Sequence, residues 1–191
     1  MPEGSERDTV LVVDDEREVA DVYALRLRDE YETRVAYGGE EALDAIDDDV
    51  DAVLLDRRMP GISGDAVLEG IREDGHDCAV IMLTAVEPGL EILEMDFDDY
   101  LCKPVEKADL VAAIEQQLRL RRHDGRLAEY LAVRSKLALL EAELSPRELE
   151  ENDRLGQLAD RAADLEAELD EQLPEFDDIE SAFEEIARRP G

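Results

Sequence analysis

The chain has 191 residues, enough for one full domain and a smaller module. Its 53 acidic residues outnumber 21 basic ones and give a formal net charge of −32, which at low salt repels nucleic acid and anionic membrane surfaces. Lysine occurs only at Lys103, Lys107 and Lys136, and acid excess with so little lysine indicates a protein adapted to molar salt. Cys78 and Cys102 lack metal-ligand spacing, so we expect buried thiols in a reducing interior.

The composition also bears on localisation and order. No apolar stretch approaches membrane-spanning length, and the polar residues 1–8 do not form a signal peptide. We therefore expect a cytoplasmic protein with no membrane partner and a disordered N-terminus over 1–8. An acidic, partly disordered chain is the competing interpretation, but the hydrophobic periodicity from Thr9 onward disfavours it.

Strands and helices alternate in the predicted secondary structure up to residue 122. Apolar runs predict five strands, at 9–13, 33–36, 53–56, 79–84 and 99–102. Helical spacing of apolar residues predicts helices between and after them, over 16–29, 39–47, 63–72, 90–95 and 108–122. This alternation is typical of an α/β domain with a doubly wound parallel sheet.

Four of the five predicted strands end on, or just before, a polar residue. These residues are Asp14 and Asp15, Asp56, Thr84 and Lys103. The carboxyl ends of parallel strands share one edge of the sheet, where such folds place their chemistry, so we expect the five side chains to converge. Taken singly each has an ordinary role, such as a helix N-cap for Asp14 or a surface charge for Lys103. Their convergence favours a common site.

The chemistry of that site follows from its residue types. Three crowded carboxylates cannot all stay ionised without a counter-charge, and a hard divalent cation, Mg²⁺ above all, supplies one. Asp56 can then attack phosphorus as a carboxylate nucleophile and form an aspartyl phosphate. Lys103 offers a positive charge, and Thr84 a hydroxyl donor, to the phosphoryl oxygens.

Four motifs carry a resemblance to a known family: Val-Val-Asp-Asp-Glu at 12–16, Leu-Asp-Arg-Arg-Met-Pro-Gly at 55–61, Leu-Thr-Ala at 83–85 and Asp-Tyr-Leu-Cys-Lys-Pro at 99–104. In this order they resemble the receiver domain of two-component response regulators, over 9–122. The resemblance implies a flavodoxin-like sheet of order 2-1-3-4-5. It also implies a histidine kinase as partner and no enzymatic activity beyond Mg²⁺-dependent phosphorylation and dephosphorylation of the chain itself.

The same resemblance assigns roles at the metal site. Asp56 is the phosphoacceptor, and its side chain binds Mg²⁺ together with that of Asp15. Arg58 contributes its backbone carbonyl, and Asp14 acts mostly through water.

The resemblance also implies a switch pair, Thr84 and Tyr100. Thr84 moves toward the phosphoryl group, the Tyr100 ring turns inward, and the surface around the fourth helix and fifth strand changes. Lys103-Pro104 is expected to be cis. One departure is a shortened segment before Lys103, with Asp96-Phe97 in place of a small-residue turn. A short fourth helix follows from it, which puts in doubt the family's usual dimer face.

From residue 123 the pattern becomes purely helical. Apolar residues at three- and four-residue spacing predict two long amphipathic helices and a short last one: Leu127, Tyr130, Val133, Leu137, Leu140 and Leu144; Leu155, Leu158, Ala162, Leu165 and Leu169; Ile179, Phe183 and Ile186. Between the long helices, Ser145, Pro146 and Glu148 fit a capping box with proline at the first helical position. We expect an α-helical hairpin domain over 123–191.

This segment resembles the HalX domain, which follows receivers in haloarchaeal response regulators. The resemblance rests on 127–130, on Ser-Lys-Leu-Ala-Leu-Leu-Glu at 135–141 and on the Leu144-Ser145 break. It implies a domain identity but no chemistry.

The output of the tail is left open by the sequence. It is either a DNA-binding transcription effector or a protein-interaction and dimerisation module, and a homodimer through receiver or hairpin is possible. Leu144 to Glu148 resembles the start of a helix-turn-helix, but no recognition helix follows. Arg119, Arg121, Arg122 and Arg126 form a basic cluster whose ordinary explanation is a helix C-terminus. DNA binding through this cluster is weak, because acids outnumber bases more than twofold over 123–191.

Overall fold

A computed structural model describes residues 7–85, 89–121 and 125–185, with 184 and 185 described by their backbone alone. The strands are β1 (Thr9–Val13), β2 (Glu32–Ala36), β3 (Ala52–Asp56), β4 (Ala79–Thr84) and β5 (Asp99–Cys102). The helices are α1 (Arg17–Leu27), α2 (Gly39–Ala45), α3 (Gly64–Glu73), α4 (Lys107–Leu120), α5 (Gly125–Glu143), α6 (Pro146–Glu150), α7 (Asp153–Gln172) and α8 (Phe176–Glu185). A 3₁₀ helix, Leu90–Glu94, precedes β5.

The five strands form one parallel sheet in the order β2-β1-β3-β4-β5, as the family resemblance implies. Strands β1, β3, β4 and β5 are buried along their whole length, which explains why they are continuously apolar. The edge strand β2 is half-exposed over most of its length. The α/β fold class predicted from the alternating pattern is therefore confirmed.

The chain folds into two compact units, the first ending at Leu83 and the second beginning at Thr84. This division falls inside the predicted receiver, because β5 and the 3₁₀ helix pack against the tail helix α5. The predicted boundary between 122 and 123 lies outside the residues that the structure describes and stays a prediction. Of the predicted disordered segment 1–8, the structure describes only Arg7 and Asp8.

The tail is the predicted helical hairpin with short helices added. Helices α5 and α7 run antiparallel: Arg126, near the start of α5, pairs with Glu168, and Glu129, one turn later, pairs with Arg161. The capping box is present as predicted, with Ser145 accepting from the Glu148 N–H and the Glu148 carboxylate accepting from the Ser145 N–H. Its stabilisation is about 1 kcal/mol.

The core of the hairpin joins the end of α4 with α5, α7 and α8. Its buried members are Leu120, Leu127, Tyr130, Leu131, Leu165, Leu169, Phe176, Ile179 and Phe183. The Tyr130 and Phe176 rings meet edge to face with their centroids 5.2 Å apart. Burial, together with a hydrogen bond to the Glu180 carboxylate, raises the pKa of the Tyr130 hydroxyl. Ile186, predicted to join this core, lies outside the described residues.

Helix α5 is buried on more sides than its predicted stripe. Besides most of the predicted positions, Leu131, Ser135 and Leu139 are buried, and Leu144 is only half-buried. The reason is that one side of α5 contacts α7 and another contacts β5 and the 3₁₀ helix. The periodicity of one helix cannot predict two partners, so the second buried side was missed.

Candidate functional site

The three predicted acids meet because two adjacent strands end at the same level. In the parallel pairing of β1 with β3, Val13 lies opposite Leu55, so the next residues, Asp14 and Asp56, leave the sheet side by side. Carboxylate oxygens of Asp14, Asp15 and Asp56 all lie within 4.8 Å of one another. The sheet register therefore assembles the predicted acid cluster.

Burial makes this cluster different from an ordinary patch of surface acids. Asp14 is 1% exposed and Asp56 7%, while Asp15 is half-buried and faces the opening. Asp14 Oδ1 accepts a hydrogen bond from the Glu16 N–H at 2.9 Å, which fixes the carboxylate in the turn before α1. Asp14 is not the N-cap of that helix, because Glu16 occupies the position. The ordinary helix-capping role for Asp14 is thus not observed.

The residues present fit a hard cation. Magnesium is bound in proteins by carboxylate and carbonyl oxygens together with water, and the half-buried Asp15 leaves the cluster open for waters and a phosphodonor. The Arg58 side chain is exposed. The metal role predicted for its backbone carbonyl stays a prediction.

The other two predicted site residues are joined to each other. Thr84 is buried as the last residue of β4, and its carbonyl accepts the N–H of Lys103 at 2.8 Å. Lys103, half-buried, directly follows β5, and its peptide bond to Pro104 is cis as predicted. Tyr100 in the same strand is fully buried, and its ring lies 5.5 Å from that of Phe97, centroid to centroid.

Sequence reasoning missed two supports of the loop after β3. Gly64, the first residue of α3, packs so closely that an added Cβ would lie 2.2 Å from the Asp56 carbonyl oxygen. The buried Arg57 pairs with Asp65, Nε to Oδ1, at 3.0 Å, and its carbonyl accepts the Gly64 N–H at 2.8 Å. The available signal was a glycine just before the apolar stripe of a helix, where a close backbone approach favours glycine.

With this geometry in view, comparison with known proteins decides the family. The profile of the response regulator receiver domain matches residues 10–115. The chain belongs to the response regulator receiver family. The HalX domain profile matches residues 119–186 directly behind it, so both resemblances inferred from motifs are confirmed.

Two relatives and one solved structure illustrate the match. A candidate transcriptional regulator of Haloferax volcanii is 47% identical over 83% of this chain but only 27% of its own length. The transcriptional regulatory protein CpxR of Escherichia coli is 42% identical over 58% of this chain and 49% of its own length. The receiver domain of Francisella response regulator 1452 superposes with a TM-score of 0.54 and 27% identity, covering 60% of this chain and 98% of that one. This chain thus spans half or less of these two relatives.

The helices differ in character from membrane spans. Within 7–85, 89–121 and 125–185, none combines the length and the apolar character needed to cross a bilayer.

We predict that Gly64→Ala disrupts the loop that carries Asp56. The new Cβ has to displace backbone atoms of Asp56 and Arg57, so we expect a loss of about 1–3 kcal/mol in the free energy of unfolding and weaker Mg²⁺ binding.

The matched control is Gly156→Ala. Nothing lies within 4 Å of a Cβ at this exposed position in α7, and alanine is favoured over glycine in helices by about 1 kcal/mol. Salt-matched thermal and urea unfolding compares the two variants. Equal or higher stability of Gly64→Ala would contradict the close packing at Asp56.

Proposed function

We propose that this protein is a phosphorylation-controlled switch in which Asp56 accepts a phosphoryl group from a histidine kinase. The observation that carries the proposal is the buried cluster of Asp14, Asp15 and Asp56 at the carboxyl ends of β1 and β3. Membership of the receiver family supports it. The exchange takes place in the cytoplasm, where this family meets its kinases.

The reaction is a phosphoryl transfer between two side chains. A carboxylate oxygen of Asp56 attacks phosphorus on the phosphohistidine of the kinase, and the phosphorus–nitrogen bond breaks with its electron pair returning to the imidazole. Lys103 pairs with a phosphoryl oxygen and the Thr84 hydroxyl donates to another. Hydrolysis of the acyl phosphate resets the switch, and apart from this self-directed chemistry the chain is not an enzyme.

Magnesium completes the site in this proposal. The side chains of Asp15 and Asp56 and the backbone carbonyl of Arg58 hold the ion, with Asp14 acting through water. When bound, it neutralises the crowded carboxylates and the charge that develops on the phosphoryl oxygens.

For the output of the HalX tail we propose protein interaction rather than DNA binding. Four tail arginines, which would have to contact phosphates, are paired with acids of this chain: Arg126 with Glu168, Arg147 with Glu151, Arg154 with Glu94 and Arg161 with Glu129. Helix α6, at the helix-turn-helix-like motif, has only five residues. The name of the Haloferax relative is what favours the alternative, a DNA-binding transcription effector.

Phosphorylation is expected to require Asp56. With acetyl phosphate and Mg²⁺ in molar KCl, intact-mass spectrometry should show one phosphoryl group on the wild type and none on Asp56→Asn, because the amide is not nucleophilic. Asp44→Asn, an exposed acid on α2, is the control and should be labelled like the wild type. Equal labelling of Asp56→Asn would disprove the assignment.

Magnesium binding should depend on Asp15. Loss of this ligand in Asp15→Asn is expected to weaken Mg²⁺ binding by about tenfold or more, since removing even a supporting partner of a metal ligand costs about that much. Calorimetric titration of the full chain at fixed KCl measures the affinity, with Asp44→Asn again as control. An unchanged affinity would place the ion elsewhere.

The full chain should not retain duplex DNA in molar KCl, with or without acetyl phosphate. The charge of −32 opposes binding, and counterion release contributes little at that salt. Fluorescence anisotropy of labelled genomic fragments is the measurement. Binding that survives at this salt and is lost in Arg119→Ala/Arg121→Ala would favour the transcription effector instead.

A further inference from the structure

The packing of α5 against β5 includes a polar contact at its centre. Asp99, the first residue of β5, and Ser135, in the middle of α5, are both completely buried. The Ser135 hydroxyl donates to Asp99 Oδ1 at 3.0 Å, and the Tyr100 N–H donates to the same oxygen at 2.8 Å. A buried carboxylate is stable only with hydrogen-bond donors around it, so this contact specifies one docked position of α5.

A second contact extends from α5 to the predicted switch tyrosine. The ammonium nitrogen of Lys136 lies 5.2 Å from the centroid of the Phe97 ring, which is itself packed against the ring of Tyr100. Burial lowers the pKa of Lys136, while the charges of Asp96 and Asp98 act in the opposite direction. Lys136, Phe97 and Tyr100 therefore form one continuous row of side chains.

The same interface continues at both ends. Arg154 of α7 pairs with Glu94 of the 3₁₀ helix at 2.8 Å, an exposed pair that adds little stability. At the other end of β5, burial and the charge of Glu143 raise the pKa of Cys102. The surface of β5 and the 3₁₀ helix is thus covered by this chain's own tail along its length.

We propose that α5 is a clamp that holds the segment Phe97–Tyr100 in its unphosphorylated arrangement and that phosphorylation weakens the clamp. The proposal rests on the proposed function of Asp56. If Tyr100 reorients on phosphorylation, it must displace Phe97, and Phe97 cannot move without disturbing Lys136, because packed interiors do not deform continuously. The event is then passed to the tail as release of α5.

The clamp has a thermodynamic consequence that can be measured. If phosphorylation weakens the docking of α5, weakening that docking must favour the phosphorylated state by the same factor. It also makes α5 release a condition for any homodimer that uses the surface of β5 and the 3₁₀ helix, because one surface cannot hold both partners.

The experiment uses the full chain with Mg²⁺ and beryllofluoride, a phosphoryl mimic, in molar KCl. Ser135→Ala removes one donor from the buried Asp99 carboxylate and should lower the half-saturating beryllofluoride concentration by about three- to tenfold. The control Ser145→Ala loses a hydrogen bond of similar strength at the α6 cap and should stay within about twofold of the wild type.

Two further measurements protect the result against a folding defect. Lys136→Gln removes the cation from the Phe97 ring without touching the Asp99 bond and should shift affinity in the same direction. Amide hydrogen exchange should show faster exchange in the middle of α5 when beryllofluoride is added to the wild type, while exchange in the α7 segment facing solvent is unchanged.

The outcomes separate the two proposals. If the wild type binds beryllofluoride and both variants bind it equally or more weakly, the clamp is wrong and the phosphorylation site stands. If the wild type does not bind it while Asp15-dependent Mg²⁺ binding is intact, the proposed function fails, and the clamp fails with it.

Discussion

The parallel register of β1 with β3 is the constraint on which this protein depends. Because Val13 lies opposite Leu55, the acids that follow each strand are forced together with little exposure to water. Such a cluster is costly by itself and becomes stable when a cation shares the carboxylate oxygens. The close packing of Gly64 on Asp56 then holds the third acid in place. Metal binding and phosphoryl chemistry are thus consequences of how two strands are aligned.

Charge shapes the rest of the molecule. A net charge of −32 favours expansion through self-repulsion, and molar salt screens that repulsion among exposed acids. The few arginines of the tail are used in pairs between helices, as in Arg126–Glu168 and Arg161–Glu129. These pairs reduce the positive surface available to a nucleic acid. The similarity to a Haloferax protein agrees with the salt adaptation inferred from composition.

Helix α5 connects the two halves of the protein's function because it has two partners. One side builds the hairpin core with α7 and α8, and another covers β5 and the 3₁₀ helix. This double packing explains why the first compact unit ends at Leu83 rather than near the predicted end of the receiver. It also explains a buried serine in a leucine-rich helix, because Ser135 matches the carboxylate of Asp99.

The sequence by itself determined the strands, most helix bounds, the capping box at Ser145 and the identity of the acid cluster. Those features depend on local periodicity, on local hydrogen bonding and on the rule that parallel strands end at one edge. Only the tertiary structure decided the close approach of Gly64 to Asp56, the Arg57–Asp65 pair and the second buried side of α5. The Ser135–Asp99 bond joins residues 36 positions apart. No local pattern encodes a partner at that distance, since it exists only after two separate elements have packed.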